Sequence, residues 1–201
     1  MPWGDLHADA WTAVRDRDYM AGLFIWTGFD YLGEPTPYGW PSRSSYFGVV
    51  DLAGFPKDAY WMYRSEWTEE TVLHLFPHWN WTPGEKIDVW AYYNNADEVE
   101  LFLNGRSLGR SAKTPDRLHA FWAEVPFEPG KLEAVSYKDG KEVMRTVRET
   151  TGEPVRLTLS ADRGTIAADG YDLSYITVEA VEAGGLPGPT ADRMLSFSVK
   201  G

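Results

Sequence analysis

Three observations predict a mixed chain, an α/β segment followed by two stretches of all-β structure. A short apolar run, residues 23–25, lies between Gly22 and the group Trp26, Thr27 and Gly28, which is the pattern of a strand buried on both faces. Helical spacing precedes that run and recurs after it, the helix–strand–loop–helix rhythm of an α/β fold. Beyond about residue 68 the period changes to two, punctuated by Asn104-Gly105 and Asp139-Gly140, the dipeptides that hairpin turns favour.

In chain order, residues 9–17 carry Ala10, Trp11 and Val14 at helical spacing, and Asp5 or Asp9 can cap the start. Residues 19–22 turn the chain into the strand that ends at Trp26. An indole placed there sits at the rim of a sheet, where ligands bind in barrel and open α/β folds. A sugar-facing Trp26 is therefore the first hypothesis for a site. Residues 34–45 contain Pro35, Pro37, Gly39 and Pro41 and read as a loop, and a long loop after a buried strand is more often functional than decorative. Residues 46–51 are briefly extended. Pro56 then opens a helix through about Glu66, flanked by Tyr60, Met62, Tyr63 and Trp67. Residues 1–68 form the first unit.

Residues 69–150 hold six runs that read as strands, at 72–76, 86–93, 98–103, 119–125, 132–137 and 142–148. Ile87, Val89 and Ala91 alternate with Asp88, Trp90 and Tyr92, as a sheet with two distinct faces requires. Short strands at this spacing predict an antiparallel sandwich of immunoglobulin-like type. A further boundary falls at residues 151–154. After it, residues 155–160, 175–181 and 195–199 alternate again, fewer than the roughly seven strands that close such a sandwich. Residues 151–201 are read as a truncated immunoglobulin-like domain.

Composition narrows the function classes. Hydrophobic content of 43% and charged content of 24% are those of a globular protein. A net charge of −11 argues against nucleic acid and anionic membranes as partners. No window approaches the ~18–20 apolar residues of a membrane span, and the N-terminus lacks the regions of a signal peptide. With no cysteine there is no disulfide, thiolate ligand or thiol nucleophile. The aromatic share of 15%, with ten Trp and eleven Tyr, adds weight to carbohydrate as well as to aromatic cores.

Asp30 and Glu34 lie four apart beside Trp26, and Asp51 follows the second apolar run. Glycoside hydrolysis needs two carboxyl groups facing one cleft. Asp30 and Glu34 share one strand end and its loop, so capping and loop anchoring outweigh a catalytic role. His74 and His78 are separated by a strand-like run ending in Pro77, without H-E-x-x-H, and no metal is expected. G-x-S-x-G, P-loop and G-x-G-x-x-G signatures are absent. Ser42, Ser44 and Ser45 flank Arg43 as hydrogen-bonding scaffold. Asn80-Trp81-Thr82 is a glycosylation sequon. Trp79, Trp81 and Trp90 are a candidate sugar platform, with core and interface roles favoured over it.

Residues 21–38, Ala-Gly-Leu-Phe-Ile-Trp-Thr-Gly-Phe-Asp-Tyr-Leu-Gly-Glu-Pro-Thr-Pro-Tyr, resemble the eighth strand and following loop of glycoside hydrolase family 2 enzymes of β-galactosidase type. Residues 40–58 are similar to the lead into the last barrel helix. Residues 73–81 and 98–105 look like the β-sandwich domain that follows the barrel, and residues 167–178 like the start of a further immunoglobulin-like domain. The resemblance implies the C-terminal piece of an α/β (TIM) barrel, then an immunoglobulin-like sandwich, then part of a second such domain. It also implies a retaining exo-glycosidase acting on β-galactosides, with no cofactor. Its two glutamates sit on the fourth and seventh barrel strands, upstream of this sequence, so no catalytic residue is expected here. Trp26 matches the aromatic that floors the sugar subsite, and Asp30, Tyr31, Glu34, Trp40 and Arg43 match the following loop as candidate substrate contacts.

The chain alone is accordingly expected to be inactive. It is expected to expose apolar surface at residues 23–26 and on the helix at residues 60–67, and to form a homo-oligomer through it. A periplasmic or secreted parent is expected from the family. The alternative is a non-catalytic module that binds glycan or serves as a structural spacer.

Overall fold

The computed structural model describes residues 6–198. Its first 68 residues contribute two helices, α1 (His7–Arg15) and α2 (Asp58–Trp67), and no strand among the described residues. Leu6 occupies the N-cap of α1 without a side-chain bond, and Asp9 lies inside the first turn. There its charge complements the helix dipole instead of capping a free N–H. Asp5 lies outside the described residues.

The strand predicted at residues 23–26 does not form. No backbone hydrogen bond reaches those residues among the described ones, and a strand requires a paired neighbour. Leu23 and Ile25 turn inward onto Val49, Met62 and Tyr63, while Phe24 and Trp26 face solvent. Pairing begins only at Thr27, where residues 27–30 run parallel to residues 47–50 through backbone hydrogen bonds and the isolated bridge Phe29–Val50.

The aromatic flank of α2 is also not exposed as expected. Met62 and Tyr63 are buried, Tyr60 is partly so, and only Trp67 remains open. Their cover comes from the next unit. Leu118 joins Val49, Met62 and Tyr63 in one small core, with Tyr92 packed against it.

Seven strands then form a sandwich: β1 (Leu73–Phe76), β2 (Lys86–Tyr93), β3 (Glu98–Leu103), β4 (Arg106–Ser111), β5 (Ala120–Pro126), β6 (Lys131–Lys138) and β7 (Lys141–Glu149). One sheet is ordered β1-β2-β5 and the other β4-β3-β6-β7, all neighbours antiparallel. Ile87, Val89, Ala91 and Tyr93 point inward from β2, and Val99, Leu101 and Leu103 from β3, with Trp79 and Trp122 in the same core. Asn104-Gly105 and Asp139-Gly140 all have positive φ, the requirement of a two-residue hairpin turn. β4 escaped the sequence reading because only Leu108 of its six residues packs on the core.

After residue 151 the chain forms a two-stranded antiparallel sheet, β8 (Arg156–Ala161) and β9 (Ile176–Val181). The strand read at residues 195–199 is absent as far as Ser198, and Val199 lies outside the described residues. The junction is clamped. Asn80 Nδ2 donates to Thr151 O at 3.0 Å and Asn80 Oδ1 accepts from Thr151 N at 3.1 Å, so the sequon asparagine holds the linker. No helix among the described residues is long and apolar enough to cross a membrane.

Candidate functional site

Trp26 stands at the point where the irregular run becomes paired. Its peptide to Thr27 is cis. Thr27 N donates to Phe47 O at 3.1 Å, and Thr27 O accepts from Val49 N at 3.1 Å. The indole is 70% exposed and meets Tyr31 edge-on, with ring centroids 6.5 Å apart and planes at 88°.

Tyr31 is fixed from its backbone. Its N–H donates to Ser45 Oγ at 3.0 Å, and its carbonyl accepts from Ser45 N at 2.9 Å and Ser44 Oγ at 3.2 Å. The Tyr31 hydroxyl donates to the Glu34 carboxylate, which holds the phenol above its ordinary pKa. Glu34 itself has φ +42°, a left-handed conformation that turns the loop back. On the returning strand of the loop Trp40 is 80% exposed, and the Arg43 guanidinium lies 4.9 Å from its ring centre. Arg43 O accepts from Gly33 N at 2.8 Å, which closes the loop's neck.

The structure thus assembles Trp26, Tyr31 and Glu34 into one contact chain and Trp40 with Arg43 into a second pair. Asp30 departs from this set. It is only 8% exposed, and its carboxylate accepts from Gly48 N at 2.8 Å and from Lys57 Nζ at 2.8 Å. Asp51 is likewise occupied, accepting from Ala53 N and Phe55 N at 2.9 Å each. An open indole beside a phenol–carboxylate pair can stack on the apolar face of a sugar and hydrogen-bond its hydroxyls. It does not form the two opposed carboxyls of glycoside hydrolysis. Gly48 and Lys57 were missed in the sequence. Lys57 is 27 residues from Asp30, and no local pattern links them.

The other candidates separate. Trp79 is buried in the sandwich core and donates to Glu128 O at 3.0 Å. Trp81 stacks on His78, with centroids 4.6 Å apart. Trp90 stands on the outer face of β2, in a row with Phe76 and Phe121. Phe76 and Trp90 are cross-strand partners whose rings lie 5.7 Å apart at 14°, an offset stack. The three tryptophans form no common platform. His74 Nε2 lies 2.7 Å from Asp58 Oδ1 and its ring stacks on Trp61. Among the described residues no group of three or more His, Cys, Asp or Glu could hold a metal ion. A cavity of about 380 Å³ at the clamped junction, lined by Asn80, Thr151, Pro154 and Arg193, was not visible in the sequence.

These features define a multi-unit chain in which an aromatic-rich helical segment is joined to a β-sandwich, with a second β unit behind. Comparison with known proteins narrows the class. Residues 84–144 match the family model described as Domain of unknown function (DUF4982), and residues 157–201 match Glycoside hydrolase family 2 C-terminal domain 5. The chain is 54% identical over 201 residues to the beta-galactosidase BoGH2A of Bacteroides ovatus, covering 100% of this chain and 24% of that protein. It is 32% identical over 199 residues to a beta-glucuronidase of Formosa agariphila, covering 95% of this chain and 19% of that protein. A crystal structure of a glycosyl hydrolase family 2 member from Bacteroides cellulosilyticus superposes with a TM-score of 0.76 at 37% identity, over 90% of this chain and 26% of that one. The chain belongs to glycoside hydrolase family 2. It spans about a quarter or less of the length of these relatives.

Proposed function

We propose that this chain is part of a retaining family 2 glycosidase acting on terminal β-galactosides, and that it supplies one wall of the sugar subsite and none of the reacting carboxyls. The observation that carries the reading is the exposed Trp26 indole with Tyr31 and Glu34 beside it. The 54% identity to a beta-galactosidase supports galactosides, and the lower identity to a beta-glucuronidase makes glucuronides the competing class. In this reading residues 1–68 close the barrel, residues 69–150 are an immunoglobulin-like spacer and residues 151–201 belong to a further domain of that type. Trp26, Tyr31, Glu34, Trp40 and Arg43 face the sugar, in a periplasmic or secreted parent that self-associates.

The experiment is an assay of the chain and of its full-length parent on chromogenic β-galactoside and β-glucuronide. The chain alone is expected to give no turnover. Turnover by the chain that Glu34→Gln or Asp51→Asn abolishes would sink the reading. In the parent, Trp26→Ala is expected to lower kcat/KM on the galactoside by about tenfold, equivalent to ~1.4 kcal/mol of lost ring contact.

A second reading, a non-catalytic glycan-binding module, rests on Trp90, which is partly buried in the aromatic row on the outer sheet face. Glycan binding by the chain that Trp90→Ala removes would favour it.

A further inference from the structure

The Trp26 indole meets one ring, that of Tyr31, and is otherwise open. Tyr31 is the ring that steadies the indole, and beyond that contact its placement depends on the backbone it is attached to. That backbone is pinned at Thr27, between Phe47 and Val49.

The pinning segment has its own anchor. Gly48 N donates to Asp30 Oδ1 at 2.8 Å, and Lys57 Nζ lies 2.8 Å from Asp30 Oδ1, 2.7 Å from Asp30 Oδ2 and 3.3 Å from Tyr46 O. Lys57 N also donates to Val49 O at 2.9 Å, and Lys57 is the N-cap of α2, which is packed through Met62 and Tyr63. The junction has no slack. A Cβ on Gly48 would lie 2.1 Å from Asp30 N and 2.5 Å from Val50 O.

We propose that Asp30 and Lys57 are positioning residues for Trp26. Their ion pair ties the segment that brackets Thr27 to the start of α2, and so sets the direction the indole faces. The Asp30 side chain is 5% exposed, so removing the ammonium leaves a buried carboxylate without its partner, and the loop must rearrange to hydrate it. The consequence for sugar binding rests on the subsite reading of Trp26. The mechanical link does not.

Fluorine NMR of the full chain labelled with fluorotryptophan separates the two. Trp26→Phe identifies the Trp26 resonance among those of the ten tryptophans. In sugar-free buffer, Lys57→Met and Asp30→Asn are expected to split or broaden that line while the line of buried Trp79 stays in place. Lys57→Arg, which keeps the cation, is expected to retain a single Trp26 line. A Trp26 line unchanged in both disrupting variants overturns the proposal. Loss of native dispersion for every tryptophan in both variants also overturns it, because the pair would then be a general stabiliser. Methyl β-galactoside added to the unsubstituted chain tests the subsite reading separately. A Trp26 line that never moves with sugar removes that reading and leaves the sugar-free comparison to decide the positioning role.

Discussion

Asp30 and Glu34 are four residues apart in sequence and opposite in environment. Glu34 sits at a left-handed turn with its carboxylate on an exposed phenol, while Asp30 is enclosed by a backbone N–H and an ammonium. Sequence spacing places both beside Trp26, and it leaves undecided which of them faces inward. That depends on residues 46–57 arriving from elsewhere in the chain. His119 shows the same dependence in its protonation. It lies half-buried against Tyr92 and Phe121, and burial, with the Arg117 and Lys113 cations adding to it, pushes its imidazole down to about 4. An unfolded histidine titrates near 6.5. Between about 4 and 6.5 the unfolded chain therefore binds the extra proton, so stability rises with pH through that window. The contribution of neutral His119 is complete above about 6.5 and declines as pH falls toward about 4. Urea midpoints are expected to be lower at about pH 5 than at about pH 7.5, with His119→Phe narrowing the gap. An unchanged gap in the variant would assign the effect to other groups.

At the scale of elements, the alternating strands were legible because their period is physical. Inward positions of β2 and β3 are apolar and outward ones polar or aromatic, which is what a two-faced sheet requires. The run at residues 23–25 was not legible, because three apolar residues fit a buried strand and a surface segment with two inward side chains equally well. The β8–β9 pair carries the same logic without a partner. Leu157 faces Ala180, Leu159 faces Val178 and Ala161 faces Ile176, one apolar face, while Thr158–Glu179 and Ser160–Thr177 make the other face polar. Leu157, Leu159 and Ile176 are exposed. Burying one such side chain is worth ~1.5–3 kcal/mol, so this face should bind an apolar dye and favour self-association. Leu159→Lys is expected to reduce both dye fluorescence and apparent mass on a sizing column. If neither falls, the exposed aromatics of residues 24–55 are the adhesive surface.

At the scale of the whole molecule, Glu66 joins the helices to the sandwich. Its two oxygens accept from Trp11 Nε1 at 3.1 Å and Lys113 Nζ at 2.6 Å, so one carboxylate links α1, α2 and the β4–β5 loop. The bridge is largely shielded, with the Glu66 side chain 12% exposed. Glu66→Ala strands an indole N–H and an ammonium, at a cost of about 1–3 kcal/mol. A lower urea midpoint is expected, with tryptophan fluorescence changing before the β signal in circular dichroism. Coincident, unshifted transitions would show that Leu118 and its apolar neighbours hold the two parts together unaided. The sequence by itself determined the all-β character of the middle of the chain, its hairpin turns and an aromatic at Trp26, because period, turn chemistry and residue type are local properties. Only the tertiary structure decided that residues 23–26 form no strand, that α2 is covered, that Asp30 turns inward to Lys57 and that Trp79 and Trp90 part company. Each of those depends on which distant segment supplies a hydrogen-bond partner or an apolar cover, and no local pattern encodes that choice.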